Sequence, residues 1–444
     1  MTIARPAPRA PALAHRRPLG VPASNHAMVS HAIDGVAVFV AISAPLYNRY
    51  IGAVTIVAMV GVLAVYLWLR RDRLQAIMGA SAVPMLMPAL ALLSTLWSIA
   101  PSATAHYGTL YAMTALLGLA LGAGSDRSGL LWGLFAAFGT YVWVSFLFGE
   151  FVGWGGGIEA DTGLAYAGIS PSKNMSADTA ALAMLASVAA VGQALAGRRL
   201  ALLAAALLTI LPCCWILWYA RSTGGLVAGA VATLCCTLWL SSQRFQAQSR
   251  GLLFAVCVLL VAVAIATQSL WLQPLFEAIL TTSGKDSTLT GRDELWRAAD
   301  QLIAQRPWLG LGYAAFWQPG NLDAEALLRR FGVSDPAGFN FHNTPRDVVV
   351  ALGYLGGVVD AVIAASAAAV LLFRTMVRPD PARILACALC VYFAMRLGFE
   401  FIGLSQASHG GVLVYMVFGL ALVRSSSFEK RADYPRRIAR PLQR

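Results

Sequence analysis

The sequence predicts an all-α polytopic membrane protein with about 12 transmembrane helices and one long loop between the ninth and tenth. Mean hydropathy is +0.66. The charged fraction is 12%, against about one quarter in ordinary soluble proteins. Twelve separate apolar runs approach the length that spans a bilayer. Together these exclude a soluble globular enzyme. The net charge of +12 does not indicate a nucleic-acid partner, because the basic residues form no single patch.

Residues 1–32 are rich in Pro, Ala and Arg and lack the apolar core of a cleavable signal, so a disordered cytoplasmic tail is expected. Runs at 33–47, 51–69, 80–98, 104–123, 129–148, 174–196, 200–218, 223–241 and 251–271 supply helices 1–9 of a unit spanning 33–271. A loop over 272–343 with amphipathic helices follows. Runs at 347–373, 384–403 and 409–424 then give helices 10–12 within 344–424, ahead of a basic cytoplasmic tail at 425–444. With both termini cytoplasmic, 22 of the 33 basic residues fall on the cytoplasmic side, as the positive-inside rule requires.

The seven cysteines, at 213, 214, 235, 236, 257, 387 and 390, all lie inside apolar runs and read as small buried hydrophobes. Cys387 and Cys390 share a C-x-x-C spacing but have no second pair to complete a zinc site. Disulfides in the outer loops are ruled out.

Two outer segments exceed simple connections: the glycine-rich stretch from Gly149 to Lys173, and the loop from about Leu272 to Asn343 with eight acidic and six basic residues. In the second, Thr290 is placed to cap a helix over 291–304 whose Leu295, Trp296, Ala299, Leu302 and Ile303 share one face. That pattern suits a helix lying over the outer mouth of a bundle.

A few polar groups at this end need a reason. His342 sits in the polar run Asn340–Asp347, beside Asn343, where the long loop re-enters the membrane. A histidine there is able to exchange protons at neutral pH. Arg221 opens the eighth span, and Arg396 lies in the eleventh, four residues before Glu400. An arginine at such depth needs a partner, a wet cavity or a snorkelling route. For Arg396, an i,i+4 pair with Glu400 is the alternative to a functional role. Arg292, next to Gly291, starts the loop helix, where its charge opposes the helix dipole and a bound anion offsets the cost. Lys173 and Asn174 stand similarly at the start of the sixth span. Four outward cations, a histidine and no Asp-x-Asp pair describe a pocket for a large anion, with no metal site.

These residues fall in ordered motifs. Gly284–Arg292 with its Thr-Leu-Thr-Gly-Arg ending is followed by Trp296, Pro307–Gly312, His342-Asn343 and Gly353–Gly356, and preceded by Gly168–Asn174 and Ala220–Ser222. Across residues 160–360 the pattern resembles the O-antigen ligase/polymerase superfamily, and within it the exopolysaccharide-polymerase branch. The resemblance implies a C-type glycosyltransferase-like fold in the bacterial inner membrane. It also implies a sugar chain carried on undecaprenyl pyrophosphate as donor, with no cofactor and no metal. Carried over, Arg221 and Arg292 hold the lipid pyrophosphate and His342 is the general base or orienting group for the acceptor hydroxyl. Lys173, Asn174, Arg396, Asn343 and Gly291 are expected to contact substrate. Beyond the lipid-linked oligosaccharide and the bilayer, the expected partners are a chain-length regulator or export machinery. The alternatives are a ligase that transfers glycan to lipid A core or to a protein hydroxyl, and, from another class, a secondary transporter with buried charges lining a path through the midplane.

Overall fold

The computed structural model describes residues 23–154, 163–267, 269–270, 292–333 and 338–423. Helix occupies part or all of each predicted run: α1 (Ala23–Leu46), α2 (Val54–Leu69), α3 (Leu86–Leu93), α4 (Pro101–Gly124), α5 (Arg127–Phe148), α6 (Lys173–Ala196), α7 (Leu200–Tyr219), α8 (Thr223–Ser241) and α9 (Ala247–Ala266). The loop contributes α10 (Arg292–Gln305) and α11 (Leu322–Arg330), and α12 (Thr344–Val377), α13 (Pro381–Arg396) and α14 (His409–Leu422) follow. Among the described residues, seven helices are long and apolar enough to cross a membrane, and α2, the α3 region and α14 are apolar but shorter. The chain is therefore a multi-pass membrane protein.

Four expectations need correction. The fold is not wholly α: the glycine-rich segment pairs as an antiparallel hairpin, β1 (Glu150–Trp154) with β2 (Gly163–Gly168). Phe151 meets Tyr166 edge-on at 5.0 Å and Tyr166 meets Trp215 of α7 at 4.7 Å, so aromatic contacts supply what the glycines lack. The first helix begins ten residues before the predicted run. Ser30 and His31, expected in the tail, bond to Arg70 and Asp126 and anchor its early turns. The third run is broken around Pro84, which lacks an amide donor: a short helix ends at Ser81, and Leu86–Leu93 is α-helical before a tighter turn over Ser94–Leu96. The eleventh span stops at Arg396 rather than 403, and the stretch beyond turns back toward α12. Thr290, Gly291, the motif before Arg292, the basic C-terminal tail and residues 1–22 lie outside the described residues.

The core fills with small side chains that let helices approach closely. On α4, Gly118 and Gly122 form a G-x-x-x-G face against α14. A Cβ on Gly122 would stand 2.0 Å from the Met416 carbonyl oxygen. Gly122→Val is accordingly expected to force the two helices apart and cost about 1–3 kcal/mol, read as a lower thermal-unfolding midpoint in detergent. Near the same end of α4, buried Asp34 of α1 accepts from Arg70 at 2.7 Å and from Tyr66 at 2.9 Å, tying α1 to α2.

The loop helix α10 docks as its amphipathic pattern predicts, with Leu295, Ala299 and Leu302 buried. Arg346 at the start of α12 forms a two-pronged bond to Asp300 at 2.8 and 3.1 Å and lies over the Trp296 ring. Trp296 Nε1 donates to the Phe341 carbonyl at 3.0 Å. These contacts fix the loop helix beside the turn that carries His342.

A second device holds the loop to the bundle. Helix α12 is interrupted at Gly353 (φ 66°, ψ −174°). The interruption frees two carbonyls and two amides, and the Pro307–Gly312 strip pairs with all four. Leu311 and Gly312 donate to Val350 and Ala351 at 2.9 Å each, while Tyr354 and Leu355 donate to Pro307 and Trp308 at 2.7 and 3.3 Å. Buried backbone groups are thereby satisfied where no water competes.

Candidate functional site

The site forms where three chain segments meet: the start of α6, the start of α10, and the 397–402 stretch laced to the 341–344 turn. Thr344 is the lacing residue. Its amide donates to Leu397 O at 2.8 Å, its hydroxyl donates to Glu400 O at 2.6 Å, and the same hydroxyl oxygen accepts from the Ile402 amide at 2.9 Å. Asn343 caps α12, accepting from the Arg346 amide at 3.0 Å and donating to Gly398 O at 3.0 Å. Both ends of the Asn343 amide are thus engaged within the protein.

His342 is held in left-handed backbone (φ 50°), and its amide donates to Asn340 Oδ1 at 2.8 Å. The Asp347 carboxylate accepts the amides of Phe341 and Asn343 at 3.1 and 3.5 Å and stiffens the turn. Non-glycine residues in this conformation persist where surrounding contacts over-determine them, often at functional sites. Arg221 (φ 49°) shares the property.

One carboxylate collects the predicted residues. Glu400 Oε1 lies 3.1 Å from Arg292, 3.1 Å from Arg396 and 3.2 Å from Asn174 Nδ2, and Oε2 lies 3.4 Å from His342 Nδ1. Arg292 also donates to the Phe399 carbonyl at 2.7 Å. The anion that sequence reasoning expected at the start of α10 is therefore present as an internal carboxylate. Glu400 stands beyond the end of α13. Burial alone would raise its pKa, but the His342 hydrogen bond and the Arg292 and Arg396 charges override this and lower it to about 2. Glu400 thus stays ionised at physiological pH, and its stabilising contribution, present above the ordinary carboxylate range, is lost only as pH falls toward 2.

Arg396 is buried between Glu400 and Asp178, whose oxygens lie 3.0 and 3.1 Å from its Nε and Nη2. Tyr392 donates to the same Asp178. The i,i+4 pair expected between Arg396 and Glu400 is present, and Asp178 on α6 adds a second acid to the partnership. Asn174 links outward as well, accepting from the Ser222 hydroxyl at 3.0 Å. The neighbouring Arg221 is exposed, and among the described residues its side chain has no ion pair. Lys173 opens α6 one position before Asn174.

Sequence reasoning missed Asp178 and saw in Glu400 only a partner for Arg396. The available signal was that both are acids inside or beside strongly apolar runs, where an ionised group needs partners. Among the described residues no cluster of His, Cys, Asp and Glu is arranged to hold a metal ion.

Fold and site together define a multi-pass membrane protein with arginines, a histidine and an internal carboxylate gathered where a long loop meets the helix bundle. Residues 206–359 match the O-antigen ligase family model. The chain is also similar to the exopolysaccharide production protein ExoQ of Rhizobium meliloti (strain 1021), at 31% identity over 266 residues, covering 60% of this chain and 59% of the relative. It therefore spans less than two thirds of that relative's length. Arg221, Arg292 and His342 fall inside the matched family region, whereas Asn174, Arg396 and Glu400 lie outside it.

Proposed function

We propose that this protein polymerises undecaprenyl-pyrophosphate-linked oligosaccharide repeats into exported polysaccharide at the periplasmic face of the bacterial inner membrane, through about twelve spans with both termini cytoplasmic. The observation that carries the reading is the convergence of Arg292, Asn174 and His342 on one carboxylate beside the exposed Arg221. The relative's name, an exopolysaccharide production protein, supports a role in polysaccharide assembly.

The chemistry asks for little beyond positioning and charge. The acceptor hydroxyl oxygen bonds to the anomeric carbon, the bond from that carbon to the pyrophosphate oxygen breaks, and the hydroxyl proton passes to the His342 imidazole. Undecaprenyl pyrophosphate leaves with its developing charge met by Arg221 and Arg292. Both guanidinium groups are permanently charged and offer forked donors suited to phosphate oxygens.

The test is transfer by purified protein in liposomes from a defined lipid-linked repeat. A ladder of products is expected, and Arg221→Ala and Arg292→Ala are each expected to slow its formation about 10²–10³-fold. Failure to extend beyond one repeat, with long glycan moving only onto lipid A core, would favour the ligase. Wild-type ladders from both arginine variants would remove the site.

A further inference from the structure

The two oxygens of Glu400 have different surroundings, and the difference bears on catalysis. Oε1 is gripped by donors from three helices: Arg292 opening α10, Arg396 ending α13, and Asn174 in the first turn of α6. The glutamate backbone is gripped too, since Thr344 binds its carbonyl and Arg292 binds the preceding one. With one oxygen and the main chain fixed, the position of Oε2 is fixed, and it faces His342 Nδ1 at 3.4 Å. A purely structural ion pair would not need this arrangement, because Arg396 is already matched by Asp178.

We infer that Glu400 is a positioning residue for the proposed glycosyl transfer, holding the His342 imidazole through Nδ1 so that Nε2 is the nitrogen that takes the acceptor's proton. This rests on the proposed function and deepens it. The hydrogen bond made by one ring nitrogen decides which nitrogen carries the lone pair. A carboxylate at Nδ1 also stabilises the imidazolium that forms when the proton arrives, so its contribution grows along the reaction path. Because Oε1 keeps Arg396 and Asn174, Arg292 is able to turn toward a pyrophosphate without loosening the carboxylate. Glu400 then serves as counter-ion to Arg292 before the donor binds and as support for His342 throughout.

The experiment is a double-mutant cycle on transfer from the lipid-linked repeat, with kcat and donor KM measured separately for wild type, Glu400→Gln, His342→Ala and the double variant. Glu400→Gln is expected to lower kcat about 10²-fold or more, as loss of an imidazole-orienting carboxylate does. Donor KM should not rise, because the change removes a competitor for Arg292. In the His342→Ala background the same substitution is expected to change the rate by no more than about twofold, since the group it acts through is gone. Single-variant losses that multiply in the double variant would overturn the inference, as would wild-type kcat in Glu400→Gln. Should Glu400→Gln fail to yield folded protein, Glu400→Asp keeps the charge, withdraws Oε2 by one methylene and enters the same cycle. The two readings fail separately: wild-type protein that makes no polymer from the lipid-linked repeat removes the proposed function, whereas an inactive His342→Ala beside a fully active Glu400→Gln removes only the role of Glu400.

Discussion

Replacing His342 with alanine is expected to slow glycan transfer about 10²–10⁴-fold, the range a positioned general base supplies, while leaving the protein folded and membrane-inserted. The side chain is 30% exposed, and its recorded partners are Glu400 and the edge of the Phe339 ring, so little packing is lost on truncation. The turn is held by other groups. Asn340 and Asp347 bind its backbone amides, and Thr344 and Asn343 lace it to the 397–402 stretch, all independently of the imidazole. Left-handed backbone at position 342 is somewhat more costly for alanine than for histidine, and the contacts that hold the turn carry that cost. The measurement is product ladder formation per unit of monodisperse protein, beside the thermal-unfolding midpoint. A rate within about threefold of wild type would show that some other group takes the proton, because that is far below what general-base loss costs. His342→Gln sharpens the result, since it keeps a polar side chain without a titratable nitrogen and is expected to be as slow as alanine.

The parts of this site legible in the sequence were those whose type conflicts with its surroundings. Arg292 at a helix start, Arg396 inside an apolar run and His342 in a polar knot each needed a partner, and the structure brings them to one place. What local pattern does not carry is the pairing. Asn174 and Glu400 are 226 residues apart, His342 and Glu400 are 58 apart, and Arg396 and Asp178 are 218 apart. Such contacts follow from how helices pack, and helices surrounded by apolar side chains on every face have no single stripe that announces their neighbours. Periodicity located the loop helix α10 well because that helix has one apolar and one charged face. It overshot the end of α13 because Phe399, Phe401 and Ile402 extend the apolar run past the point where the helix stops.

The charge logic also changes. Sequence reasoning counted four outward cations and expected a strongly positive pocket. Arg396 is answered within the protein by Asp178 and Glu400, and Arg292 by Glu400. Arg221 is left exposed at the rim, joined to the cluster only through Ser222 and Asn174. Under the proposed reaction, an anionic donor meets the exposed Arg221 guanidinium and a second, that of Arg292, which exchanges an internal carboxylate for phosphate. That exchange keeps a loop-helix arginine compensated when the site is empty, which matters where an uncompensated buried charge is costly.

Gly353→Ala is expected to be the most damaging small substitution, costing more than about 3 kcal/mol and abolishing transfer although position 353 touches no proposed substrate group. At φ 66° and ψ −174° the residue occupies a region that is essentially glycine's alone. A Cβ there would stand 2.1 Å from the carbonyl carbon and oxygen of Trp308 and 2.4 Å from the Leu309 nitrogen, all main-chain atoms that have no rotamer to turn away. Two responses are open to the chain. If α12 straightens, it recovers its own bonds from Tyr354 to Val350 and from Leu355 to Ala351 but expels the Pro307–Gly312 strip, whose four bonds are lost. If the strip moves instead, those four groups of α12 are left unpaired, at about 1–3 kcal/mol each in a buried setting. Either way the strip follows α10 directly in the chain, so its displacement pulls on the helix whose first residue, Arg292, binds Glu400. The checks are a lowered unfolding midpoint, proteolytic cleavage appearing between 306 and 313, and loss of ladder formation. Gly357→Ala, one turn further along the same helix, is the control. Its Cβ would meet only a Val349 side-chain methyl at 3.1 Å, and near-normal stability is expected. Equal behaviour of the two variants would mean that the splice between loop and helix does not hold the site.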